Sequence, residues 1–330
     1  MKQPASPALA PAVDEPSHLV QLLIPAGGLL ALASCMSVAQ AVTTVNASNA
    51  AERFADAVRF GAVLVVAVWM AWVLAGRMPH ILPRQRLVYR LLVALGGTAF
   101  VYTTTPSSSV LAMNLGTAVY GCTLAWLAIE VCRKHGCPTR PGFRVANVEQ
   151  RAQTWRVTSW AFLICLAGAV LGSSIEQALR YVGLEGAWAV GLDQRAALNA
   201  DDPAAVALKF VATVAIEEIV IVAATATLLA AARRPAWQIY SSICLIEALL
   251  HAYMGLAAVA MAAFAAGHVW LYRRYGTFLP LVIGHATYNL GYVLPKWFAP
   301  APYATVASLF LVLATVAGVA QRSPARTRTT

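Results

Sequence analysis

The sequence predicts an all-α, polytopic membrane bundle of about ten transmembrane helices, and three observations lead there. Hydrophobic residues make up 59% of the 330-residue chain and charged residues only 12%, a balance foreign to a soluble domain of this length. Apolar runs recur from about Leu19 to Ala320 and leave no interval for a separate soluble core. The basic residues gather between alternate runs, as they do in cytoplasmic loops of membrane proteins.

A spanning helix needs roughly 20 mainly apolar residues. Runs of that kind lie at 19–44, 58–76, 88–104, 108–131, 157–179, 204–232, 236–254, 256–272, 277–295 and 303–320. The seventh and eighth are expected to join in a tight hairpin near Gly255. Residues 1–17 form a Pro- and Ala-rich leader that should be disordered. The first apolar run contains LASC at 32–35 and Ala39-Gln40-Ala41, which loosely resemble processing sites. However, the leader carries Asp14 and Glu15 in place of a basic cluster, and the apolar run continues past Cys35, so the run reads as a retained first span.

Arg77, Arg84, Arg86 and Arg90 follow the second span, and Arg133, Lys134, Arg140, Arg144, Arg151 and Arg156 follow the fourth. Arg233 and Arg234, Arg273 and Arg274, and Arg322, Arg326 and Arg328 continue in the same phase, whereas the 185–202 loop is acidic. The pattern places the chain in the cell membrane as a multi-pass protein with both termini cytoplasmic. The net charge of +10 then reports topology and attraction to anionic membrane lipids. No nucleic-acid partner is expected, because the basic residues are split among short loops without interleaved stacking aromatics.

Cys35, Cys122, Cys165 and Cys244 fall in apolar spans, where thiols act as small hydrophobes. Cys132, His135 and Cys137 supply at most three metal ligands, at a spacing wider than that of structural zinc sites, and read as a reduced cytosolic loop.

Ionisable groups at membrane depth are costly and normally face a cavity or a partner. Here Glu217 and Glu218 lie near the middle of the sixth span, Glu247 and His251 are four apart in the seventh, and His285 and Asn289 are four apart in the ninth. Residues at i and i+4 share a helical face. Two adjacent acids diverge by about 100° on an α-helix, so only one is expected to point squarely at a common centre. His268, near the cytoplasmic end of the eighth span, reads as an interfacial or packing residue, and His18, His80 and His135 carry no expected role.

A carboxylate in such a cavity can take a proton from water, and a histidine and a carboxamide on one helical face can serve a developing oxyanion. Glu217, His251 and His285 equally suit a catalytic zinc with an open fourth position. The residues leave three functions open: an intramembrane endopeptidase, a non-catalytic protein that keeps the network for folding or binding, and a proton-coupled transporter. No repeat relates the two halves of the chain, which weighs against the last.

The order EE at 217–218, WQIYSSICLIEALLH, and GHVWLYRRYGTFLPLVIGHATYN resembles the type II CAAX prenyl endopeptidase and bacteriocin-processing family, the CPBP or Abi intramembrane proteases, whose motifs are EExxxR, FxxxH and HxxxN or HxxxD. The resemblance covers roughly Trp160 to Leu294. It implies a protease core at 157–295, preceded by membrane helices at 18–156 and followed by a last helix and basic tail at 296–330. It implies catalytic roles for Glu217, Glu218, His251, His285 and Asn289, with Glu217 activating water and no cofactor, and a membrane-bound or lipid-modified protein or peptide as substrate. Two positions depart from the motifs: the arginine after the acid pair is Val222, and the phenylalanine before the first histidine is Glu247. The first keeps a scaffold or bacteriocin-type immunity role open. The second assigns Glu247 a supporting role, as a hydrogen-bond partner of His251.

Overall fold

The structure, a computed structural model, describes residues 16–45, 48–75, 110–142, 148–184 and 203–297. Among them the chain forms helices α1 (Pro16–Val45), α2 (Asn49–Ala75), α3 (Val110–Lys134), α4 (Val148–Tyr181) and α5 (Pro203–Val214), then a π-helical segment (Ala215–Ala224), α6 (Thr225–Ala231), α7 (Ala236–Leu250), α8 (Ala260–Tyr275) and α9 (Leu279–Trp297). The stretches Leu19–Ala39, Asn49–Leu74, Asn114–Lys134, Val148–Tyr181 and Leu256–Tyr275 are long and apolar enough to cross a bilayer. The all-α membrane bundle expected from composition is therefore present. The expected spans at 88–104 and 303–320, the first 15 residues, the acidic 185–202 loop and the basic tail lie outside the described residues, so the count of ten rests on sequence alone.

The bundle has a lipid-facing exterior. Ile24, Val68, Trp72, Val170 and Leu245 are all more than half exposed, which suits hydrocarbon and not water. Helices in lipid gain little from hiding apolar surface and associate where small residues let backbones approach. A Cβ at Gly121 of α3 would lie 2.7 Å from the Cα of Ala212 on α5, and one at Gly284 of α9 would lie 2.5 Å from the carbonyl oxygen of Thr158 on α4. These glycines bring α3 onto α5 and α9 onto α4. The first apolar run is built into the same core: Leu22 and Leu29 of α1 are fully buried, and Tyr120 Oη donates to the carbonyl of Leu32 at 2.7 Å.

The seventh apolar run ends as a helix sooner than expected. α7 stops at Leu250, and His251 to Val259 form two short 3₁₀ turns around Gly255. Gly255 sits at φ 67°, ψ −143°, a conformation that a Cβ makes very costly. The chain thus reverses in a tight hairpin, and α7, with 15 residues, is shorter than a full crossing requires.

Several basic loops meet at one end of the bundle. The segment after α3 docks on the α8–α9 turn, with Phe278 N donating to the Arg140 carbonyl at 3.2 Å and Leu279 N to that of Pro141 at 3.1 Å. The Arg273 guanidinium lies 5.7 Å from the ring centroid of Tyr240 in α7, and Thr227 of α6 hydrogen-bonds Tyr272 of α8 at 2.8 Å. The ends of α3, α6 and α8 and the starts of α7 and α9 therefore share one side, in the phase that the alternation of basic loops requires.

Candidate functional site

The π-helical segment places the acid pair. A π turn closes with i→i+5 bonds, and the Thr225 hydroxyl marks its end by donating to the carbonyl of Val220, five residues back, at 2.9 Å. The wider turn makes successive side chains diverge by less than the about 100° of an α-helix. Both acids consequently face the same interior, contrary to the expectation that only one would. Glu217 is 4% exposed and Glu218 is 0% exposed. Val222, where the resemblance implies arginine, is fully buried among apolar neighbours.

Glu218 is clamped from two helices. His268 Nδ1 of α8 and His285 Nδ1 of α9 both lie within hydrogen-bonding distance of its carboxylate, at 2.8 Å each. His268 is fully buried, and its Nε2 faces the carbonyl of Ala161 on α4 at 3.3 Å and the Cys165 thiol at 3.7 Å. This corrects the reading of His268 as an interfacial residue: it is the buried partner of Glu218, supplying a donor that the absent arginine does not. Unlike Glu247 with His251 and His285 with Asn289, it has no acid, imidazole or amide four residues away, and this hid it in the sequence. The available signal was its ionisable ring in an apolar span. Phe264, one turn earlier, covers the imidazoles of His268 and His285 at centroid distances of 4.3 and 5.3 Å. Gly267 permits the approach, since a Cβ there would lie 2.7 Å from the Ile164 side chain of α4.

Glu217 sits on the other side of His285. Its carboxylate is 3.8 Å from His251 Nε2 and 3.8 Å from His285 Nε2, too far for direct hydrogen bonds. The opposite nitrogen of each ring is engaged. His251 Nδ1 is 3.0 Å from the carbonyl oxygen of Glu247; a carbonyl only accepts, so that nitrogen carries the hydrogen and leaves Nε2 as the free lone pair of the neutral ring. The Glu247 contribution expected through its side chain is therefore made by its backbone. The Glu247 carboxylate itself lies 3.8 Å from His251 Nδ1, is 0% exposed, and has no hydrogen-bond partner on either oxygen. Asn289, one turn after His285, is buried at 2% exposure and joins the cluster by helical register, without a direct bond to either acid of the pair.

The sequence-derived residues Glu217, Glu218, Glu247, His251, His285 and Asn289 are thus gathered in one buried region, with His268 added. As a ligand set the arrangement differs from the expected Glu217, His251 and His285. Among the described residues, the acids and imidazoles close enough to share an ion are Glu217, Glu247 and His251, one donor atom of each lying within 4.8 Å of the others. The Cys132, His135 and Cys137 group forms no such set; all six cysteines are free, and the Cys137 thiol contacts the carbonyl of Cys132 at 3.4 Å.

Fold and cluster together define a multi-pass membrane protein with an acid and imidazole centre buried between helices. Residues 199–291 match the family model described as type II CAAX prenyl endopeptidase Rce1-like, the family that the motifs resemble. The matched stretch begins four residues before α5 and runs past Asn289, and it contains every residue of the cluster; α4, expected within the core, lies before it. No curated protein and no solved structure matches the chain.

Proposed function

We propose that the protein is an intramembrane endopeptidase that hydrolyses a membrane-associated or lipid-modified protein or peptide, with water activated at Glu217. The observation that carries this reading is the convergence of two imidazole Nε2 atoms on one carboxylate at 3.8 Å, each ring being oriented through its other nitrogen. That separation suits a small oxygen nucleophile shared by the three groups. A water there would give one hydrogen to the carboxylate and another to an imidazole lone pair, and its oxygen would be free to attack a peptide carbonyl.

The remaining groups fit the later steps. Asn289 would offer a carboxamide N–H to the oxyanion, a role supported by its burial one turn after His285. The proton collected from water returns to the departing amine, so that peptide and water give an acid and an amine. Glu218 and His268 would not touch substrate; they hold His285. With the family match at 199–291, this arrangement favours a protease over a transporter or a non-catalytic scaffold. The same match favours a substrate anchored in or on the membrane.

The test is Glu217→Gln in nanodiscs, with cleavage of a farnesylated CAAX-type peptide as readout. Loss of the proton acceptor should cost about 10²–10⁴ in rate and leave the melting temperature equal or higher, since a buried charge is removed. Wild-type cleavage rates in the Gln variant would refute the assignment.

A further inference from the structure

Glu247 poses a problem that the metal-free form of this chemistry leaves unsolved. A fully buried carboxylate is normally hydrogen-bonded or paired, and Glu218 obeys the rule with two imidazole donors. Glu247 does not: both oxygens lack a hydrogen-bond partner. It faces Glu217, a second acid, and among the described residues no lysine or arginine forms an ion pair with either. Two carboxylates at such close range, shut away from water, are accommodated either by a proton held on one of them or by a positive charge between them, and a proton alone leaves the Glu247 oxygens without a partner.

We infer that Glu217, Glu247 and His251 bind a divalent transition-metal ion. One donor atom of each residue lies within 4.8 Å of the others, and Glu217 Oε1 is 3.8 Å from His251 Nε2, the nitrogen left free to ligate by the bond from Nδ1 to the Glu247 carbonyl. Zinc bonds of about 2.0–2.2 Å in a tetrahedral site put donors about 3.4 Å apart, so shifts of about 0.7 Å by each residue of a pair close the set. The donors come from two rigid elements. Glu217 is on the π-helical segment, and Glu247 and His251 stand one turn apart at the end of α7. Two carboxylates and a neutral imidazole offset the charge of a divalent ion, and three protein ligands leave a position open to water. The set is oxygen-rich, which admits manganese or iron as well as zinc.

The inference rests on the hydrolytic reading of the cluster, where an open position beside His285 would hold the water to be activated. It assigns to Glu247 a role particular to this chain, because the motif it departs from has phenylalanine there and phenylalanine cannot ligate. His285, held by Glu218 and facing Glu217 Oε2 across 3.8 Å, stays outside the ligand set.

The test uses full-length protein in nanodiscs, stripped with chelator and titrated with zinc or cobalt. Bound metal is measured by elemental analysis, and cobalt coordination by its visible absorption. Wild type should bind stoichiometrically. Glu247→Gln and Glu247→Leu should each lose more than the roughly 10–100-fold that removal of an outer-sphere partner costs, while Glu176→Gln, a partly exposed acid paired with Arg180 on α4, should match wild type. The leucine variant leaves no orphaned carboxamide and guards against misfolding of the glutamine variant. Wild-type binding no tighter than that of the Glu247 variants overturns the cation site. Cleavage of the farnesylated peptide by metal-free wild type also overturns it, and leaves the peptidase reading standing. Stoichiometric, Glu247-dependent metal without cleavage upholds the site and overturns the peptidase reading.

Discussion

The clamp on Glu218 makes a quantitative prediction. His268→Ala removes one of the two imidazole donors, each 2.8 Å from the carboxylate, at a position where acid and ring are both 0% exposed. Hydrogen bonds between helices in membranes contribute on average about 0.6 kcal/mol, but those pairs are mostly neutral. A bond to a carboxylate contributes about 1.5–3 kcal/mol, and removing one partner of a buried charged pair costs about 3–5 kcal/mol because the other charge is left behind. His268→Ala should therefore destabilise the bundle by about 3–5 kcal/mol. Glu218→Gln should cost less, since the carboxamide keeps an acceptor for His268 or His285. In the double variant no charge is left unpaired, so the two effects should fall short of additivity by at least about 1.5 kcal/mol. The assay is a double-mutant cycle of unfolding in mixed micelles, with peptide cleavage followed in parallel. Simple additivity would show that His268 and Glu218 do not act as a pair, and the account of how His285 is held would fail with it.

Two further expectations concern packing and sidedness. Gly284→Ala would set a Cβ 2.5 Å from the Thr158 carbonyl oxygen, so α9 must move away from α4; the variant should lose about 1–3 kcal/mol of stability and cleavage together, unlike Glu217→Gln, and unchanged melting with full activity would remove the argument for this contact. Single cysteines placed at 140 and at 277, which face each other across the docked loop, should show the same accessibility to an impermeant thiol reagent and resist it in intact cells, and labelling of only one would contradict the shared basic end.

Much of the protein is determined by local sequence. Apolar runs of bilayer length fix the helices, since no other open backbone arrangement satisfies its hydrogen bonds in lipid. Basic loops fix their phase. The pairs Glu247 with His251 and His285 with Asn289 are legible because a spacing of four residues places side chains on one face, and the order of the motifs carries the resemblance that the match at 199–291 repeats. Local periodicity could not show that the turn widens at Ala215–Ala224, because a π-helix is not distinguished by its pattern of apolar residues. That widening turns both Glu217 and Glu218 inward, where an α-helix would separate them. Nor could it pair His268 with Glu218, 50 residues away: that contact needs α8 pressed onto α4 through Gly267, and a backbone approach has no signature in the spacing of either helix. The end of α7 at Leu250 is of the same kind. It gives the carbonyl of Glu247 to His251 and leaves the carboxylate of Glu247 buried and unpaired, because which atom of a residue reaches its neighbour is decided by tertiary packing alone.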